Sequence, residues 1–147
     1  MRDDDEVTVR PAGAEDAEGL APLLTALGYP STPEQVRGRM ERIGADADYH
    51  TLVAERGGRL VGMAGVRRGW KYTDDRPYAE LMSLVVDAGE RGRGTGAALV
   101  AAAEAWTRAQ GGELLLLSTA LHREGAHRFY ETVGYEQTGR RYVKKLS

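Results

Sequence analysis

The sequence contains no cysteine among its 147 residues. A chain without thiols cannot form a disulfide, hold a metal through thiolates or carry an acyl group on a cysteine. Histidine is also scarce, and no HExxH pattern occurs, so the sequence predicts no metal site. We interpret His122 and His127 as surface residues. Any chemistry must use oxygen and nitrogen side chains or backbone amides.

Long hydrophobic runs and a strong net charge are missing as well. The N-terminal MRDDDE has no apolar signal segment, and no run has the length that spans a bilayer, so we expect a cytoplasmic chain without a membrane partner. The formal net charge of -2 argues against a nucleic-acid partner. With 41% hydrophobic and 29% charged residues, we expect one globular domain over residues 1–147.

The spacing of apolar residues predicts strands that alternate with helices. The predicted order is a strand at Val7–Arg10, helices at Ala14–Gly28 and Pro33–Ile43, a hairpin around Gly57–Gly58, and a strand at Tyr78–Val86. There follow a helix at Gly96–Gln110, a buried strand ELLLLST, a helix at Gly125–Val133, and one or two strands between Tyr135 and Leu146. This order predicts an α/β fold, in which a mixed central sheet with one parallel crossover is flanked by about four helices.

A glycine-rich stretch joins the fourth strand to the next helix in ELMSLVVDAGERGRGTGAAL, residues 80–99. The N-terminus of a helix presents unpaired backbone N–H groups and partial positive charge, and glycines let a phosphate come close to them. Arg91 and Arg93 add planar cations that suit phosphate oxygens. The stretch therefore predicts a phosphate site. The alternative is a turn that only connects a strand to a helix.

Two common phosphate-binding patterns do not match this stretch. A nucleotide-hydrolase loop ends in GK[ST], whereas here Ala97 and Ala98 follow Gly96. A dinucleotide fingerprint has the spacing GxGxxG and an acidic residue after the next strand. Here the spacing is GxGxG, and the next strand ends in Ser118 and Thr119.

A third pattern does match. Arg91-x-x-Gly94-x-Gly96 resembles the acetyl-CoA loop [RQ]-x-x-G-x-[GA] of the GNAT acetyltransferase superfamily. Downstream, AHRFYETVGY resembles that family's segment A-x-x-F-Y-x-x-x-G-[FY], and together the two cover about residues 80–146. The resemblance implies the GNAT acyl-CoA N-acyltransferase fold. It also implies acetyl-CoA as co-substrate, without a metal, and direct acetyl transfer in a ternary complex to a primary amine of a small molecule or peptide.

The same resemblance implies where the cofactor binds. The backbone N–H of Leu84 would stabilise the oxyanion, and Val86 would contact the pantetheine arm. Arg123 stands where many members have an asparagine that holds the pantetheine, and it could instead meet a CoA phosphate or point to solvent. The complete set of implied cofactor-binding residues is Leu84, Val85, Val86, Arg91, Gly92, Arg93, Gly94, Thr95, Gly96, Ala97 and Arg123.

Two residues are the candidates for proton transfer. Tyr130 matches the family's usual general acid, which protonates the leaving thiolate; the alternative is a core aromatic beside Phe129. Glu80 is the candidate base. It lies four residues before Leu84, and a strand period of two would put both on one face. The alternatives are that Glu80 pairs with Arg76 or binds substrate, and that a water chain serves as the base.

The acceptor amine is less specified. Its site should be formed by the early helical region Leu24–Ile43 with Trp70, Tyr72, Asp74 and Asp75, and the two acids would favour a cationic amine. The resemblance also implies that the closing strands could join two copies as a homodimer. Two alternatives from other classes remain, namely a CoA-binding regulatory module without turnover and a structural or interaction domain.

Overall fold

The computed structural model describes residues 6–118 and 124–147. Five strands form one sheet in the order β1-β2-β3-β4-β5, and four α-helices accompany them in this part of the chain. The strands are β1 (Thr8–Pro11), β2 (Tyr49–Arg56), β3 (Arg59–Trp70), β4 (Pro77–Val86) and β5 (Leu115–Leu117). The helices are α1 (Ala17–Leu27), α2 (Pro33–Gly44), α3 (Thr95–Ala109) and α4 (Glu124–Thr132). The prediction of a mixed sheet with about four helices is confirmed.

Local chemistry sets the helix ends where the sequence indicated. Gly28 ends α1 with a φ of 115°, which side-chain-bearing residues rarely adopt. Thr32 caps α2, because its hydroxyl accepts the N–H of Gln35 at 3.1 Å while the Gln35 side chain accepts the N–H of Thr32 at 3.0 Å. Among the described residues, no helix is both long and apolar enough to cross a membrane.

One face of the sheet is buried under α1 and α2. The shared core holds inward-facing residues from both helices and from three central strands, namely Leu20, Leu23, Val36, Met40, Val53, Met63 and Val85. Val53 pairs with Met63, and Met63 pairs with Val85, so these three side chains form one row across the sheet. Counting along each strand from this row shows which other strand residues point to the α1/α2 face.

The opposite face is covered by α3, whose Leu99, Val100 and Ala103 are buried. At Gly62 of β3, the contact with α3 leaves little room for a side chain. A Cβ atom built there would lie 2.9 Å from Cδ1 of Leu99 and 3.1 Å from the carbonyl oxygen of Val85. Farther along α3, the Trp106 ring stacks on His50 of β2 at a centroid distance of 5.3 Å. The first turns of α3 are thus held close to the sheet.

By its internal contacts the chain divides after Leu116. The second unit, Leu117–Ser147, contains α4 and the C-terminal segment. Within it, Tyr130 makes edge contacts with the rings of Phe129 and Tyr135, at centroid distances of 5.3 and 6.0 Å. The helix predicted at Gly125–Val133 is confirmed, because α4 spans Glu124–Thr132 and ends before Gly134.

The closing strands predicted between Tyr135 and Leu146 are wrong, since residues 135–147 have no regular secondary structure. Tyr142, Val143 and Leu146 are exposed. An alternating pattern supplies the side chains of a strand, but a stable strand also needs a partner edge for its backbone N–H and C=O groups. The homodimer that these strands would join stays a prediction.

The close approach at Gly62 can be tested by adding one methyl group. We expect Gly62→Ala to lower the free energy of unfolding by about 1–3 kcal/mol, because the methyl overpacks the contact between β3 and α3. The matched control is Gly38→Ala, at an exposed position of α2. There no atom of the described residues lies within 4 Å of the added carbon. It should raise stability by up to about 1 kcal/mol. Urea denaturation measures both, and equal midpoints would contradict the packing argument.

Candidate functional site

A β-bulge interrupts β4. Leu81 pairs with Val66 and Ser83 pairs with Gly65, so Met82 is an extra residue on β4 between two consecutive pairs. The Met82 side chain is 49% exposed. A bulge bends its strand and increases the local twist, and it often lies next to a functional site. Here it lies between Glu80, the candidate base, and Leu84, the candidate oxyanion donor.

The bulge places Glu80 and Leu84 on opposite faces of the sheet. Glu80 pairs with Arg67 and Leu84 pairs with Ala64. Arg67 and Ala64 are three residues apart on β3, and an odd separation puts side chains on opposite faces. The prediction that Glu80 and Leu84 share a face is wrong, because the extra residue reverses the alternation. The role predicted for Leu84 uses its backbone N–H and does not depend on the side-chain face.

The side chain of Glu80 points to the α1/α2 face of the sheet, as do the side chains of Ser83 and Val85. Its carboxylate is 3.9 Å from the Arg67 guanidinium, and each side chain is 34% exposed. A half-exposed pair at this distance contributes little to stability. The alternative that Glu80 pairs with Arg76 is wrong, because Arg76 pairs instead with Asp74 and Glu113.

The glycine loop before α3 uses a left-handed backbone. Gly92 has a φ of 75° and Gly94, the N-cap of α3, a φ of 81°. Among residues 6–118 and 124–147, no atom lies within 4 Å of a Cβ atom built at either glycine. Glycine is therefore needed at these two positions for its dihedral angles and not because space is short. The described residues leave the surface above them open to a ligand.

The start of α3 presents its first amides beside this open surface. The first ladder bond runs from the N–H of Ala98 to the carbonyl of Gly94 at 3.0 Å. The N–H groups of Thr95, Gly96 and Ala97 precede it, and helix geometry gives them no partner within the helix. Arg91 and Arg93 are exposed in the same loop. Amides, helix dipole and guanidinium groups together form the arrangement that binds phosphates.

Beneath the loop lies a carboxylate that the sequence analysis missed. Glu90 is only 3% exposed. It accepts hydrogen bonds from Nε and Nη2 of Arg56 at 3.2 and 3.0 Å and from the Thr95 hydroxyl at 2.7 Å. The hydrogen bonds from Arg56 hold the pKa of Glu90 below its usual value. An acidic residue in a charged turn is usually solvated, so nothing local in the sequence distinguished it.

The contact with Glu90 revises the role expected for Thr95. The Thr95 residue is 1% exposed, and its hydroxyl donates to the Glu90 carboxylate. A phosphate above the loop could meet the backbone N–H of Thr95 but not this hydroxyl. Val85 is similar, because its side chain belongs to the α1/α2 core and leaves only backbone atoms for a ligand.

Other predicted residues fall outside this arrangement. Arg123 and His122 lie outside the described residues, and the roles of Arg123 and Tyr130 stay predictions. Asp74 lines a small cavity of about 140 Å³ between the β3–β4 connection and Leu114. Its pKa is lowered by hydrogen bonds from the backbone N–H and guanidinium of Arg76. Because Arg76 already offsets this carboxylate, Asp74 gives less support for a cationic acceptor than its sequence position indicated.

The dihedral requirement at Gly94 predicts a stability difference between two loop glycines. We expect Gly94→Ala to lower the free energy of unfolding by about 1–2 kcal/mol, since an alanine Cβ is unfavourable at positive φ. Gly89→Ala is the matched control, because Gly89 has no positive φ and no atom within 4 Å of an added Cβ. Thermal denaturation compares them. A loss at Gly89 as large as at Gly94 would refute the dihedral explanation.

The lowered pKa of Glu90 predicts a pH-dependent contribution to stability. A carboxyl group with a depressed pKa in the folded state stabilises that state above its unfolded pKa, and this stabilisation is lost as pH falls through the folded pKa. The stability difference between wild type and Glu90→Gln should be constant above about pH 5.5 and shrink below about pH 4.5. Urea denaturation from pH 7 to pH 3 measures it. A pH-independent difference would contradict the ion-paired state of Glu90.

Comparison with known proteins adds independent information. Residues 20–135 match the family model described as the acetyltransferase (GNAT) family. The chain is 38% identical over 101 residues to an aminoalkylphosphonate N-acetyltransferase of Salmonella typhimurium. The aligned stretch covers 69% of this chain and 66% of that protein. It is 31% identical over 137 residues to an aminoglycoside N(6')-acetyltransferase of Stenotrophomonas maltophilia, covering 90% and 88% of the two chains.

The fold also has solved counterparts. An aminoglycoside N-acetyltransferase crystallised with CoA superposes with a TM-score of 0.85 at 19% identity, covering 97% of this chain and 96% of that chain. A GNAT family acetyltransferase of Staphylococcus aureus superposes with a TM-score of 0.83 at 21% identity, covering 95% and 98%. At these identities the structures establish the common fold.

Proposed function

Since the family model matches most of its length, the chain belongs to the GNAT acetyltransferase family, and we propose that it transfers the acetyl group of acetyl-CoA to a primary amine. The observation that carries this proposal is the open glycine loop at the start of α3. It combines the amides of Thr95, Gly96 and Ala97 with the exposed Arg91 and Arg93. These groups suit the pyrophosphate of acetyl-CoA. When bound, acetyl-CoA would supply the activated acetyl thioester.

We assign the remaining roles from what direct acetyl transfer requires, namely a donor to the oxyanion, a base for the amine and an acid for the thiolate. The backbone N–H of Leu84, next to the bulge of β4, would donate to the thioester oxygen as it gains negative charge. Glu80 would take the proton that the attacking amine loses, directly or through water. Its half-exposed position and weak pair with Arg67 leave its carboxylate accessible. Tyr130 would give a proton to the departing thiolate. With no cysteine in the chain, no acyl-enzyme on a thiol is involved.

The relatives direct the choice of acceptor toward small molecules. The two relatives compared above are named for an aminoalkylphosphonate and for an aminoglycoside. Both acceptor classes offer a primary amine on a small polar molecule. We therefore propose a small-molecule amine as the acceptor, with a peptide amine as the next candidate.

The proposed reaction is tested by thiol release. Purified chain is incubated with acetyl-CoA and a panel containing an aminoalkylphosphonate, an aminoglycoside, a polyamine and a lysine peptide. We expect saturable CoA release that requires both chain and amine. Melting temperature with increasing acetyl-CoA measures binding separately, because a ligand at 100 times its Kd stabilises the native state by about 2.7 kcal/mol. Binding without release for any amine would instead support a non-catalytic CoA-binding module.

Tyr130 provides the mechanistic test. We expect Tyr130→Phe to lower kcat by about 10²-fold or more with little change in the KM for acetyl-CoA, because only the proton donor is removed. Tyr142→Phe is the matched control, since Tyr142 is exposed in the C-terminal segment. It should leave both constants unchanged. A Tyr130→Phe enzyme with wild-type kcat would remove Tyr130 from the mechanism.

A further inference from the structure

We propose that Glu90 is a positioning residue, which holds the phosphate-binding loop in its binding conformation through Arg56, Thr95 and Arg93. This inference rests on the proposed function, because it assumes that the loop binds the CoA pyrophosphate. Glu90 does not itself touch the donor in this proposal. It acts through the three residues that it contacts.

The carboxylate of Glu90 joins three separate elements. Arg56, the last residue of β2, donates from Nε and Nη2. Thr95, the first residue of α3, donates its hydroxyl at 2.7 Å. The Arg93 guanidinium, from the loop itself, lies 3.5 Å from the second carboxylate oxygen and is 47% exposed. Sheet, loop and helix are therefore tied at one buried group.

The backbone closes around the same residue. The N–H of Glu90 donates to the carbonyl of Asp87 at 2.9 Å, and the N–H of Arg93 donates to the carbonyl of Glu90 at 3.1 Å. Asp87 in turn donates its N–H to Val61 on β3 at 2.8 Å. These bonds fix where the turn leaves the sheet. The hydroxyl bond from Thr95 then fixes the rotation of the first turn of α3, and with it the direction of the N–H groups that face the open surface.

The negative charge of Glu90 by itself disfavours phosphate binding, so its presence needs a structural reason. A carboxylate beside an anion site repels the anion, and burying it costs desolvation energy. An apolar side chain could fill the same space without either cost. The Arg56 guanidinium offsets the charge, and the carboxylate adds a directional acceptor for the Thr95 hydroxyl and an ion pair with Arg93. A positioning role accounts for a buried acid at this place, whereas space filling does not.

The test compares two acetyl donors. Acetyl-CoA carries the phosphates, and S-acetyl-pantetheine keeps the thioester and arm but lacks them. We expect Glu90→Gln and Thr95→Val each to lower kcat/KM for acetyl-CoA by about tenfold, mainly through KM, because misplaced loop donors bind the pyrophosphate less well. Their kcat/KM for S-acetyl-pantetheine should change by less than about twofold, since no phosphate contact is lost. Thr95→Ser, which keeps the hydroxyl donor, should recover most of the kcat/KM that Thr95→Val loses with acetyl-CoA.

Calorimetric titration of CoA and of pantetheine gives a readout independent of turnover. The same selective loss should appear as weaker binding of CoA to Glu90→Gln and Thr95→Val, measured well below each variant's melting temperature. Glu6→Gln, an exposed acid near the N-terminus, is the charge-matched control and should bind CoA as wild type does.

Several outcomes would overturn the inference. Equal losses with both donors and with both ligands would show that Glu90 supports only the general fold. Unchanged CoA affinity in Glu90→Gln and Thr95→Val would show that the loop does not depend on it. If wild type binds CoA but transfers no acetyl group, the proposed function fails while the CoA titrations still decide the role of Glu90. If wild type does not bind CoA, both proposals fail.

Discussion

The ion pair between Glu90 and Arg56 is the contact on which the geometry of the glycine loop depends. The loop contains three glycines between residues 92 and 96, and glycine has more backbone freedom to lose on folding than any other residue. Such a stretch would not hold one conformation by its own propensity. A buried, charge-assisted contact to the end of β2 supplies the missing restraint, and the Thr95 hydroxyl passes that restraint to the first turn of α3. The loop can then stay open above while it is fixed below.

The bulge at Met82 lets β4 place two residues on one face that a regular strand would place on opposite faces. On the C-terminal side of the bulge, Val85 points into the α1/α2 core while the backbone leads to the loop. On its N-terminal side, Glu80 points to the same face, although the two residues are an odd number apart. One inserted residue therefore puts a carboxylate and a core valine on one face. It also interrupts the regular pairing of β3 and β4 two residues before Leu84.

The sequence predicted the features that local chemistry decides and missed those that distant contacts decide. Gly28 and Pro33 marked helix ends correctly because their backbone preferences act within a few residues. The bulge could not be predicted, because the pattern of β4 shows no break and the extra residue is defined only against β3. The burial of Glu90 was missed for the same reason, since its partner Arg56 is 34 positions away. The closing strands failed because alternation was taken as sufficient without a partner edge.

Glu80, within β4, and Glu90, four residues after it, differ in what their surroundings leave them able to do. Glu90 is buried, its oxygens accept from Arg56 and Thr95, and a proton transferred to it would break those contacts. Glu80 is half-exposed and has a charged neighbour only at 3.9 Å, so it can take a proton or meet a cationic group at little structural cost. Sequence alone presents both as acids near a glycine loop. Their burial and partners are the reason for proposing the first as the residue that holds the loop and the second as the candidate base.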